Sequence, residues 1–180
     1  MAAIQLRPAA EDDIPAIRAV MARSIGELQR GFLDETGIAA SRAVMGLDTQ
    51  LIADRTYFVA TMADALAGCG GWSRRATLYG GDHSSALRDA RLLDPAREPA
   101  RIRAMFTDPA FARRGVGRAI LAACEAAARD AGFAAAELMA TLAGEPLYRA
   151  CGYRAVERTH APAVDGVAVP LVRMAKALAG

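Results

Sequence analysis

Between Pro109 and Leu121 the sequence reads PAFARRGVGRAIL, with two glycines among its arginines where an amphipathic run begins. Val116, Ile120, Cys124 and Ala127 fall on one helical face, Arg118, Glu125 and Arg129 lie off it, and Gly132 supplies the stop. A helix starting near Gly115 leaves its first N–H groups without internal acceptors, and its dipole is positive at that end. Glycines at 115 and 117 lack Cβ atoms, so an anion can approach the backbone closely. Arg113, Arg114 and Arg118 add cations that match phosphate oxygens. The stretch therefore reads as a phosphate or pyrophosphate site, or more plainly as a glycine-tolerant helix start with solvated arginines. A P-loop is excluded because no Lys-Ser/Thr pair follows the second glycine. A dinucleotide fingerprint is excluded because Ile120 stands where its third glycine belongs.

Outward from this stretch, ARIRAMFTD (100–108) reads as a strand ended by Pro109, and FAAAELMAT (133–141) as another. GEPLYRAC reads as a short helix ended by Gly152, and YRAVERTH and VAVPLVRMA as the last strands. Towards the N-terminus, AIQLRP is a short strand. EDDIPAIRAVMARSIGEL follows as a helix with Ile14, Ile17, Met21, Ile25 and Leu28 at helical spacing. Asp12 or Asp13 is placed to cap it, and Pro15 sits in its first turn. GIAASRAVMG and DTQLIAD are further helical stretches. TYFVATM (56–62) and ALAGCGGWSRR (65–75) form a hairpin, and Leu78 to Pro99 shows no periodicity. This order of elements specifies a mixed α/β sheet with helices on its faces.

The 180 residues fit a single domain spanning 1–180. With 53% hydrophobic and 23% charged residues the chain can bury a core and is not disordered. A formal net charge of +2 argues against a nucleic-acid partner. Cys69, Cys124 and Cys151 fit neither a disulfide framework nor a zinc pattern. No apolar leader and no membrane-spanning run is visible. The expectation is a cytoplasmic protein without metal.

MFTDPAFARRGVGRAIL, followed at the right distance by GEPLYRACGY, resembles the GNAT superfamily of acetyl-CoA-dependent N-acetyltransferases. The resemblance is strong from Arg101 to about Val156. It implies a mixed, mostly antiparallel twisted sheet of about six to seven strands with about four helices on its faces. By the same resemblance, the backbone amides from Arg113 through Arg114, Gly115, Val116 and Gly117 to Arg118 hold the coenzyme A pyrophosphate. Phe106 and Thr107 would pair with the pantetheine arm, on a strand that splays from its neighbour at a bulge. An N–H exposed there would stabilise the thioester oxygen. Tyr148 matches the family tyrosine near the sulfur, where a hydroxyl donor helps expel a thiolate. Trp72 and the loop after it would border the acceptor pocket, although a lone tryptophan at a strand end reads equally as core or rim packing. Two positions depart from the pattern: Ala112 stands at the Gln/Arg position and Thr107 at the valine position.

No base is assigned. Glu137, Asp82, His83 or a water chain are candidates, and each of the three residues reads more readily as a solvated surface group. Cys124 and Cys151 have no neighbouring histidine to activate them, so an acyl-cysteine route is rejected. The resulting expectation is acetyl transfer from acetyl-CoA to an amine of a small molecule or peptide, by direct attack in a ternary complex. A non-catalytic acyl-CoA-binding or regulatory module on the same fold is the alternative. A generic phosphate-binding α/β protein would fit the glycines but not LYRACGY. The resemblance also allows a homodimer paired through the C-terminal strands.

Overall fold

The apolar runs become seven strands and five α-helices in a computed structural model, which describes residues 2–178. Strand β1 (Gln5–Pro8) precedes helices α1 (Ile14–Leu28), α2 (Glu35–Val44) and α3 (Thr49–Ala53). Strands β2 (Tyr57–Met62), β3 (Ala65–Ser73) and β4 (Ala100–Thr107) follow, then α4 (Val116–Asp130) and β5 (Ala135–Thr141). Helix α5 (Glu145–Ala150), β6 (Arg154–His160) and β7 (Pro170–Ala177) complete the chain. One sheet contains all seven strands in the order β1-β2-β3-β4-β5-β7-β6. Every neighbouring pair is antiparallel except β4 and β5. Among the described residues, no helix is long and apolar enough to cross a membrane.

Helix starts follow from local chemistry. Asp34 caps α2 by accepting the Gly37 N–H at 2.8 Å, and Asp48 caps α3 through the Gln50 N–H at 3.0 Å. Pro15 lies in the first turn of α1 as its sequence position implied. Asp13 does not cap α1. Its carboxylate turns back to the Ala10 N–H at 2.8 Å and to Arg7 at 2.7 Å, because a short 3₁₀ turn over Glu11–Asp13 precedes the helix.

The two larger of three cores lie on opposite faces of the sheet, and a smaller one joins Ala40 and Val44 of α2 to Val169 and Leu171. Val116, Ile120, Leu121 and Cys124 of α4 pack over the strands with Trp72, Ile102 and Leu138. Ile17, Val20 and Met21 of α1 pack with Leu51, Tyr57, Val59 and Cys69 on the other face. The glycines of GCGGW set how close α4 comes. A Cβ on Gly68 would lie 2.6 Å from Val116, and one on Gly70 would lie 2.9 Å from Ile120 and closer still to the Met105 sulfur. A glycine-rich strand thus makes a flat bed for the helix.

The buried stripe of α4 differs from the expected one. Glu125, placed off the apolar face by its charge, is 6% exposed, and Ala128 rather than Ala127 is fully buried. Positions 121, 124, 125 and 128 share one face by i, i+3, i+4 spacing. Lys176 of β7 reaches Glu125 at 2.9 Å, and this pair offsets the cost of burying a carboxylate.

Candidate active site

Strands β4 and β5 are in register only at Ala100–Ala136 and Arg101–Glu137. Beyond that they diverge, and a bulge on the other edge of β4 explains why. Ala104 and Met105 together oppose the single residue Gly70, between the pairs Gly71–Arg103 and Cys69–Phe106. Ala104 has φ +49°, which costs a residue with a Cβ about 1–2 kcal/mol. Buried Tyr57 holds it there by donating its hydroxyl to the Ala104 carbonyl at 2.7 Å.

The gap opens into a cavity of about 790 Å³ that runs from the start of α4 to the end of α1. At the α4 end it is lined by Ala112, Arg113, Gly115, Val116, Gly117 and Arg118. Gly115 takes φ +86° as the helix cap, a conformation that favours glycine. The first intrahelical bond there runs from the Ala119 N–H to the Gly115 carbonyl at 3.0 Å. The N–H groups of Val116, Gly117 and Arg118 are therefore left without helical acceptors. Gly117 also sets how α5 packs. A Cβ there would stand 2.8 Å from Leu147, so its absence lets α5 close on the start of α4.

Phe106 and Thr107 line the middle of the cavity across from Leu138 and Thr141. Tyr148 lines it from α5 and is 8% exposed, edge-on to Tyr153 at 6.0 Å between ring centroids. Burial pushes its hydroxyl above the usual phenol range, so it stays protonated and can donate.

The structure sends other expected site residues elsewhere. Arg114 does not line the cavity; its guanidinium stacks over Phe111 at 5.5 Å. Trp72, expected at the acceptor pocket, is instead 4% exposed in the α4 core, edge-on to Phe133 at 6.0 Å. The loop after it does contribute, through Leu78, Tyr79 and Gly80. Glu137, Asp82 and His83 do not line the cavity. Glu137 is held by Arg101 at 2.8 Å and Arg173 at 2.9 Å, and Asp82 accepts from the Thr49 N–H at 2.9 Å. Cys69 is fully buried with its thiol pushed up to about 12 by burial, and burial raises Cys124 too.

The other end of the cavity is marked by no sequence motif. It is formed by Ser24, Ile25, Leu28 and Gln29 of α1 and the turn after it, then Phe32 and Met45. Ile25 and Leu28 belong to the expected apolar stripe of α1, which runs past the core into the cavity. Phe32, an apolar residue 50% exposed just beyond the helix, is the one signal that could have marked this end. Behind the wall sits Asp48, 3% exposed, bound to Arg103 at 3.1 Å and to Arg88 at 3.1 Å. Arg103 also donates to the Gly80 carbonyl at 2.8 Å, fastening the long loop to β4.

The family description "Acetyltransferase (GNAT) domain" matches residues 53–155, more than half of the chain. The chain belongs to the GNAT acetyltransferase family. Solved GNAT structures share its fold at low identity. A GCN5-related N-acetyltransferase from Rhodopseudomonas palustris superposes with a TM-score of 0.70 at 18% identity, over 98% of this chain and 97% of that one. The PaiA N-acetyltransferase from Thermoplasma acidophilum, solved with coenzyme A, gives 0.63 at 13% identity over 97% and 99%. A ribosomal-protein-alanine N-acetyltransferase from Brucella melitensis gives 0.64 at 17% identity over 96% and 99%. A search of the curated proteins finds no match. The open, mostly antiparallel seven-stranded sheet is the GNAT fold, with one more helix than expected.

Proposed function

We propose that residues 1–180 act as one domain that transfers an acetyl group from acetyl-CoA to an amine, by direct attack within a ternary complex. The observation that carries the reading is the continuous cavity joining the α4 start, the β4–β5 gap and Tyr148. The free amides of Val116, Gly117 and Arg118, with Arg113 beside them, suit a pyrophosphate. Ala112 supplies no side-chain donor at that end, so the arginines that flank the cavity take on that charge. The edge of β4 at Phe106 and Thr107 suits an amide-bearing arm, because the splay leaves it without a strand partner. Tyr148 is the proton donor to the departing sulfur.

In the step itself the amine nitrogen bonds to the thioester carbon and the carbon–sulfur bond breaks. The Tyr148 hydroxyl protonates the sulfur, and the proton shed by nitrogen restores the hydroxyl. No cysteine lines the cavity among the described residues, which fits direct attack rather than an acyl-enzyme.

Calorimetry with acetyl-CoA, followed by thiol release over a panel of amines, tests this. Acetyl-CoA is expected to bind with micromolar or tighter affinity, and at least one amine to turn over. Tight binding with no turnover on any amine would favour the non-catalytic module.

A further inference from the structure

The acceptor end of the cavity carries an unusual charge pattern. Leu28, Phe32, Met45, Tyr79, Met139 and Leu171 give it mostly apolar walls from separate segments of the chain, with Ser24 and Gln29 as uncharged polar members. Among the described residues, no carboxylate and no histidine lines the cavity at all. Its formal charges are Arg113 and Arg118, both positive and both at the α4 end. Three carboxylates beside lining residues are already taken by arginines. Asp108 binds Arg23, Glu137 binds Arg101 and Arg173, and Glu145 binds Arg149 and Arg158. Glu27, next to Leu28, is exposed and does not line the cavity.

We propose that the acceptor is an apolar monoamine, aromatic or aliphatic, which enters in its uncharged form. This rests on the acetyl-transfer reading above and specifies its substrate. A second ammonium would sit against these walls with no counter-charge, which is the costliest way to bury a charge. Polyamines and aminoglycosides are therefore rejected. The single amino group meets the same walls, and desolvation favours its neutral form. Beyond the two arginines, the titratable side chains on the lining are Tyr79 and Tyr148, and burial pushes both hydroxyls up. Neither serves as a base near neutral pH. None is required, because a neutral amine loses one proton as the sulfur gains one, and the transfer balances within the site.

The test uses the full chain with acetyl-CoA and three probes: 2-phenylethylamine, its 2,2-difluoro analogue of lower amine pKa, and spermidine. The kcat/KM for 2-phenylethylamine is expected to exceed that for spermidine by at least about tenfold. It is expected to rise with pH and level off at the acceptor's own pKa, so the midpoint moves down for the difluoro analogue. Phe32→Asp, at a half-exposed position, is expected to shift the ratio towards spermidine with an unchanged melting temperature. A preference for spermidine in the unaltered chain overturns the proposal. So does a midpoint that is the same for both apolar amines, since that reports a base in the protein. Turnover of other amines while both apolar probes are inert sinks this proposal but leaves acetyl transfer standing. Failure of acetyl-CoA to bind in calorimetry removes acetyl transfer itself.

Discussion

The two ends of the cavity are built by different means. At the α4 end one short segment, Ala112 to Arg118 without Arg114, forms much of the wall, and most of its chemistry is backbone. At the acceptor end the lining comes from α1, the turns after α1 and α2, the long loop, β5 and β7, and most of its chemistry is side chain. The first kind of site depends on φ angles and a missing Cβ. The second depends on packing between segments far apart in the chain. Substitutions should therefore separate the ends, damaging coenzyme binding at one and acceptor use at the other.

The largest expected effect is Asp48→Ala. It strands the Arg103 guanidinium, whose side chain is 2% exposed, with the Gly80 carbonyl as its remaining partner. Breaking a buried pair on one side costs about 3–5 kcal/mol. A thermal melt should show that loss, and Asp48→Asn, which keeps acceptor oxygen but not charge, should recover part of it. Because Gly80 and Tyr79 move with the anchor, the acceptor KM should rise more than the acetyl-CoA dissociation constant. Equal changes in both would mean the two ends are one mechanical unit.

Tyr148→Phe comes next. Removing the donor should lower kcat about a hundredfold, roughly 2.7 kcal/mol, while acetyl-CoA affinity in calorimetry stays within a factor of about two. An unchanged kcat would strip Tyr148 of its role and leave it as packing against Tyr153.

Gly115→Val confines its damage to the α4 end. A β-branched residue at φ +86° costs about 1–3 kcal/mol, which would relax the turn and cost about tenfold in acetyl-CoA affinity. The acceptor KM at saturating acetyl-CoA should not move. Unaltered affinity would mean that the amides after Gly115 do not hold the coenzyme.

How much of this was legible follows the same division. ARRGVGRAIL announced the cradle because its physics is local: glycine freedom and orphan N–H groups follow from neighbours in the chain. The Gly117–Leu147 contact was not legible, since it needs α5 in place. Glycines 68 and 70 were in plain view, but only the docked α4 and the β4 bulge show why they are glycines. Trp72 stood open between pocket and packing for the opposite reason: an aromatic at a strand end can face either side, and the structure packs it against Phe133. Glu125 was misjudged because its partner, Lys176, lies 51 residues away. The acceptor walls left almost no trace, because apolar residues that line a cavity have the same composition as those that fill a core.

The smallest effect tests the bolt between the ends. Arg23 of α1, the helix that forms the acceptor wall, donates to Asp108 at 3.0 Å, and Asp108 opens the turn that leads into the cradle by accepting the Ala110 N–H at 3.0 Å. Partial burial pushes the Asp108 carboxyl up, but Arg23 and the Ala110 amide outweigh it and hold the group below its usual range. A folded-state pKa below the unfolded one adds stability that is complete above the unfolded value of about 3.9 and fades as pH falls through and below it. Arg23 is half exposed, so Arg23→Ala should cost only about 0.2–1 kcal/mol at pH 7, less in high salt. The difference between the melting temperatures of the two proteins should shrink on acidification below about pH 4 and stay constant from about pH 6 to 8. A difference that survives at low pH would show that Arg23 acts through packing of its stem on the turn, and that the ends are joined by shape rather than by charge.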